Sequence, residues 1–110
     1  MIITRWFDGT TFFYFFKFAI VVVMLKLIDF WAEWCPPCKL MKPVIAEIEK
    51  EFKGKVEVEK INVDEKQKEA ERYEIFSIPT YVLEKGRKEV DRITGARSKE
   101  EFKEWLKKHL

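Results

Sequence analysis

The sequence predicts an α/β domain built on a central mixed sheet of four to five strands flanked by helices. Three observations carry that expectation. From residue 25 onward, strand-length apolar runs alternate with amphipathic helical ones in the order β-α-β-α-β-β-α. The first two strands are joined by a helical crossover and should be parallel, whereas the last two flank a tight turn and should pair antiparallel. The only two cysteines sit at the first strand–helix junction, in Trp34-Cys35-Pro36-Pro37-Cys38.

Leu25 to Trp31 is a short apolar run of strand length, interrupted only by Lys26 and Asp29 and continuous enough for a strand covered on both faces. A helix should follow from about Pro36 to Phe52, with Leu40, Met41, Val44, Ile45, Ile48 and Phe52 on one face. Pro36 and Pro37 suit its first turn, where the missing N–H groups have no intrahelical partner to lose. Pro43 falls inside and should bend the helix, and Gly54 is its expected stop. Val56 to Val63 reads as the second strand. Asp64 is then expected to cap a short helix reaching about Tyr73, with Gln67 as the reciprocal partner. Thr80–Glu84 and Lys88–Thr94 form a hairpin around Lys85-Gly86. Ser98 with Glu101 is a second capping box, opening a last helix that buries Phe102, Trp105 and Leu106.

At 110 residues, with 47% hydrophobic and 36% charged residues, the chain has the composition of one globular domain. Its formal charge is only +2 with the signs interleaved, which excludes a dedicated nucleic-acid surface. Asn62 and Gln67 are the only carboxamides beside abundant Lys and Glu, a bias that points to a hot environment. Two cysteines do not make the framework of a secreted disulfide scaffold. Nor do they hold a structural zinc, which needs four ligands, and His109 is the only histidine. No metal is expected.

Residues 1–24 stand apart from the domain expected over 25–110. Six of the ten phenylalanines lie between Phe7 and Phe18, and Asp8-Gly9 separates two apolar runs in the manner of a hairpin turn. The preferred reading is an atypical N-terminal strand or hairpin covering the sheet edge. The alternatives are an extension preceding a natural start at Met24, a membrane anchor, and a Phe-rich face for weak dimerisation. Lys17 interrupts the stretch, and a span of about 20 residues would consume the first strand, so a membrane partner is not expected. A signal peptide is disfavoured too, since no small-residue cleavage site precedes the domain.

The chemistry centres on the cysteines. Cys35 at a helix N-terminus gains from the free N–H groups and the macrodipole, which favour a thiolate. Cys38, one turn on, lies on the same face and close enough to form a disulfide with it. Thiol–disulfide exchange needs an accessible nucleophile and a resolving thiol behind it. Cys35 and Cys38 take those parts, and a purely structural bridge over so short a loop would stabilise little. Asp29 is a carboxylate inside an apolar strand. Burial should push its pKa toward neutrality, as suits a general base for Cys38. Alternation places Lys60 on the face of Val56 and Val58, as a half-buried companion for Asp29. His109, in the last turn of the last helix, reads as a solvated residue favoured by the dipole.

The segments Ile28-Asp29-Phe30-Trp31-Ala32-Glu33-Trp34-Cys35, Pro37-Cys38-Lys39, Pro43, Lys60-Ile61-Asn62-Val63-Asp64, Ile78-Pro79-Thr80, Gly86 and Gly95 together resemble the thioredoxin family, from about Leu25 to Leu110. Pro36 is the departure, since ordinary members usually carry glycine there. The Pro-Pro pair is similar to tryparedoxin-type and some archaeal relatives. The resemblance implies a thioredoxin fold and a cytoplasmic protein-disulfide reductase that uses its own Cys35–Cys38 dithiol and no bound cofactor. It implies protein disulfides as substrates and a thioredoxin-reductase-like flavoprotein as electron donor. It assigns proton handling to Asp29 and Lys60, and a cis Ile78–Pro79 bond that leaves the Ile78 backbone free to pair with substrate. Trp34, Ile78, Gly95 and Ala96 would complete an apolar docking surface. Trp31 would pack beneath the site, with Pro36, Pro37 and Pro43 shaping the helix. A membrane-tethered or exported oxidoreductase is the same-class alternative. A non-catalytic peptide-binding scaffold of the same fold is the other, and it would have no need of two intact cysteines and Asp29.

Overall fold

The computed structural model describes residues 24–110. The expectations for the Phe-rich segment, including the hairpin and a fifth strand, lie outside the described residues. Within them the order is β1 (Leu25–Trp31), α1 (Pro36–Glu51), β2 (Val56–Asn62), α2 (Gln67–Arg72), β3 (Thr80–Lys85), β4 (Lys88–Thr94) and α3 (Lys99–Lys107). The order of elements is the expected one, and every boundary falls within three residues of its expected place.

The strands form one mixed sheet in the order β2-β1-β3-β4. β1 pairs parallel with β2, as a helical crossover dictates, and antiparallel with β3. β1 is therefore central, which is why its sequence is apolar almost throughout. Its alternate side chains serve two cores. Leu25 and Leu27 face α1 and α3, packing with Met41, Ile45, Ile48, Phe102 and Leu106. Ile28 and Phe30 face the other way, with Ile61 and Val82, under Val63, Tyr73, Ile75 and Ile78. Asp29 shares the α1 face with Leu27, as the period of two requires.

The hairpin turns on Gly86 and Arg87, both at positive φ (61° and 70°). That two-residue geometry matches the right-handed twist of its flanking strands. The cap of α3 is the expected reciprocal box, with Ser98 Oγ accepting from the Glu101 amide and Glu101 Oε1 from the Ser98 amide, both at 3.1 Å. Tyr81, Phe102 and Trp105 stack edge to face at 5.0 and 5.4 Å, locking α3 onto β3.

The expected box at α2 is not formed. Its N-cap is Lys66, with no side-chain cap, and Gln67 Nε2 donates only to the Asp64 carbonyl at 3.4 Å. Asn62 takes the turn instead, its Oδ1 accepting from the amides of Asp64 (2.9 Å) and Glu65 (3.3 Å). An Asx turn two residues earlier delays the helix, and the Asp64 carboxylate is left for another partner.

Candidate active site

The two cysteines form a disulfide where β1 hands over to α1, with Cα atoms 5.3 Å apart. Cys35 is the N-cap of α1 in an extended conformation, and Pro36 and Pro37 occupy the first two helical positions. The prolines remove the first two N–H donors, so the first that can turn back to the cap belongs to Cys38. It does so, donating to Cys35 Sγ at 3.2 Å. A helix whose cap is a sulfur thus aims its N-terminal donor and dipole at that sulfur, which favours Cys35 as thiolate in the reduced protein. The helix continues through Pro43 as expected.

The expectation that Cys35 stands exposed is not met in this oxidised form. Cys35 and Cys38 are 2% and 5% exposed, with Trp31, Val63 and Ile78 packed against them. Orientation separates the two sulfurs where exposure does not. Cys35 Sγ lies 4.0 Å from the Ile78 carbonyl oxygen on the substrate-facing side. Cys38 lines an inner cavity of about 310 Å³ together with Asp29, Trp31, Lys42, Ile45 and Lys60.

Asp29 is 8% exposed in the middle of the sheet, between Lys60 on β2 and Tyr81 on β3. Burial pushes its pKa up from 3.8 to about 6, with the Lys60 charge opposing. Lys60 reaches the expected face and remains about half exposed, its Nζ 3.8 Å from Glu49. Lys42, absent from the expected site, reaches the same cavity, and its Nζ sits 5.4 Å from the Trp31 ring centroid. Its position four residues after Cys38 on α1 is the signal that could have found it.

The Ile78–Pro79 bond is cis, as expected. The Pro79 carbonyl accepts from the Gly95 amide at 2.8 Å, which brings Gly95 and exposed Ala96 beside the proline. Gly95 has φ +97°, a conformation that suits glycine. Thr80 Oγ1 donates to the Ser77 carbonyl at 2.7 Å and lies 3.1 Å from Thr94 Oγ1, tying the loop before Pro79 to β4. Trp34, the residue before Cys35, is 65% exposed. Its Nε1 donates to Asp64 at 2.8 Å, the role the carboxylate takes in place of capping α2. A ring so fixed is a wall. Trp31 packs beneath, and among the described residues its Nε1 is the one buried side-chain polar atom without a partner.

Among the described residues, no cluster of His, Cys, Asp or Glu could hold a metal, and no helix is long and apolar enough to cross a membrane.

Comparison with known proteins agrees with this geometry. The thioredoxin family model matches residues 16–108. The chain is 44% identical to a thioredoxin of Staphylococcus epidermidis over 86 residues, covering 78% of this chain and 83% of that one. It is 43% identical to a thioredoxin of Staphylococcus aureus with the same coverage. Among solved structures, the X-ray structure of Fasciola hepatica thioredoxin superposes with a TM-score of 0.75 at 35% identity, over 80% of this chain and 83% of the other. A dithiol at a helix cap, a cis-proline across from it and a buried carboxylate behind it, together with these matches over most of the chain, place the protein in the thioredoxin family.

Proposed function

We propose that this thiol–disulfide oxidoreductase reduces protein disulfides by an ordered two-step cycle. In the first step the Cys35 thiolate attacks one sulfur of a substrate disulfide, forming a mixed disulfide and expelling the other sulfur as a thiolate that takes up a proton. In the second, the Cys38 thiolate attacks Cys35 Sγ, closes the Cys35–Cys38 bond and expels the remaining substrate thiolate. Two electrons and two protons reach the substrate, and a reductase returns them by reducing the bridge. The observation that carries the order is the orientation of the two sulfurs: Cys35 faces the Ile78 carbonyl and accepts the cap N–H, while Cys38 faces the cavity of Asp29.

Asp29 is the base for Cys38. A carboxyl with a pKa of about 6 is a far stronger acceptor than an ordinary aspartate yet is mostly ionised at pH 7. Lys60 limits that rise, since its charge favours the carboxylate. Trp34, Ile78, Pro79, Gly95 and Ala96 receive the substrate segment, whose backbone can pair with Ile78. Trp31, Pro36, Pro37 and Pro43 hold the disulfide and its helix in place. The dithiol suffices without a bound cofactor, the donor is a thioredoxin-reductase-like flavoprotein, and the compartment is the cytoplasm. The abundance of Lys and Glu beside only two carboxamides supports an origin at high temperature.

Reduction of insulin disulfides with dithiothreitol as donor tests the reading. The wild-type chain should accelerate precipitation of the insulin B chain, and Cys35→Ser should not. Equal rates would remove the reductase assignment.

A further inference from the structure

We infer that Phe76 is a specificity-determining residue, which selects protein disulfides whose cysteine is flanked by an apolar side chain. Phe76 is the most exposed large hydrophobic residue among those described, at 91%. A lone exposed apolar residue is ordinary. Phe76 is not alone: with Trp34, Val63, Ile75 and Ile78 it borders an open, largely apolar trough of about 400 Å³.

The trough leads to the reacting sulfur. Ile78, one of its lining residues, places its carbonyl oxygen 4.0 Å from Cys35 Sγ. A segment disulfide-linked to Cys35 therefore lies beside Ile78, within reach of the space between Trp34 and Phe76 for a residue flanking its cysteine. That continuity identifies the occupant as the substrate's own chain around its cysteine.

The indole of one wall and the backbone that carries the other are held before it arrives. Asp64 pins the Trp34 indole. The loop carrying Phe76 is tied at one end by Tyr73, whose hydroxyl donates to Glu84 at 2.6 Å and whose carbonyl accepts from Arg92 at 2.9 Å. Thr80 ties the other end through the Ser77 carbonyl. An aromatic side chain has only two rotatable bonds, so it loses little conformational entropy when a ligand packs on it. An acidic residue in the same place would lose its hydration against two rings with no cation among the trough's lining residues.

The inference rests on the reductase reading, and the test keeps the two apart. The full chain is assayed against hexapeptides, each bearing one cysteine as a mixed disulfide with 2-mercaptoethanol, and against bis(2-hydroxyethyl) disulfide alone. The residue next to the cysteine, on either side, is Leu or Asp. The readout is the Leu-to-Asp ratio of second-order rates within each protein, which cancels any general change in reactivity.

The wild type should favour Leu about tenfold on one side, the low end of what an apolar contact discriminates. Phe76→Ser should bring the ratio to about twofold or less, and Phe76→Leu should restore most of it. A wild-type ratio near one, or a tenfold ratio surviving in Phe76→Ser, overturns the inference and leaves the reductase reading standing. Failure of the wild type to react with any of the disulfides overturns both. If Phe76 instead joins two copies of this chain, sedimentation of the reduced protein will show a dimer that Phe76→Ser abolishes, and the inference falls.

Discussion

Replacing Asp29 by Asn should stabilise the protein at neutral pH and lose most of that advantage in acid. The folded protein raises this carboxyl from 3.8 to about 6 because burial penalises its charge more than Lys60 rewards it. At about 1.4 kcal/mol for each tenfold change in acidity, ionised Asp29 costs about 3 kcal/mol above pH 7. The sign follows from proton counting. Between pH 4 and 6 the native state keeps a proton that the unfolded chain has released, so stability falls as pH rises through that window and is flat beyond it. Asn cannot ionise and escapes the fall. Urea unfolding of both oxidised proteins at pH 4, 5, 6, 7 and 8 measures the difference directly. The stability of Asp29→Asn relative to wild type should increase by about 2 to 3 kcal/mol from pH 4 to pH 8, with most of the change complete by pH 7. Comparing the pH dependence removes the separate effect of burying an amide, which is the same at every pH. A difference that stays constant across the range would refute the account of Asp29 as a carboxylate destabilised by burial.

Three further predictions concern the frame that holds the site. Phe102 is fully buried between Tyr81 and Trp105, so Phe102→Ala should cost about 3–5 kcal/mol in urea unfolding, and a loss below 1 kcal/mol would mean that α3 does not depend on this stack. At Gly95 an added Cβ would meet only Arg97 Nη1, at 3.5 Å, so the cost of Gly95→Ala comes from φ +97° and should be about 1–3 kcal/mol, read as a lowered Tm. Asp91 accepts from Trp105 Nε1 at 2.8 Å and lies 3.0 Å from His109 Nε2. Burial opposes its ionisation, but those bonds and the Arg92 amide outweigh it and hold its pKa below the ordinary value. Wild type should therefore lose this contribution as pH falls below about 4, the range of an ordinary aspartate. Asp91→Ala should cost about 1 kcal/mol at pH 7, a figure kept low by solvent, and the cost should shrink in acid.

Much of the frame was legible because the local rules agree with one another. β1 is apolar apart from Lys26 and Asp29 since a central strand is covered on both faces, and the Ser98–Glu101 box fixed the start of α3 without reference to the rest of the chain. The other site residues were readable for different reasons: the cysteine pair by its spacing at a strand–helix junction, Asp29 as a carboxylate inside an apolar strand, and Pro79 through the family resemblance. Asp64 misled because one carboxylate can serve either the helix or a distant indole. The choice was made by Trp34, 30 positions away in sequence, which no local pattern contains. The near-complete burial of Cys35 likewise depends on Val63 and Ile78, brought in from β2's end and the loop before β3. Phe76 drew no attention in the sequence because exposure is a property of the folded surface, while Lys42 was masked by the other cations of a charged helix although it lies one turn after Cys38.

The division of labour between the two cysteines is the centre of the account. It is tested most directly by reacting reduced Cys38→Ser and Cys35→Ser with a protein disulfide and weighing the products by intact mass spectrometry after acid quenching. Cys38→Ser should accumulate a stable one-to-one mixed disulfide through Cys35, because nothing remains to resolve it. Cys35→Ser should give little adduct in the same time. Comparable adducts from both variants, or a faster one from Cys35→Ser, would contradict the assignment of Cys35 as the attacking sulfur.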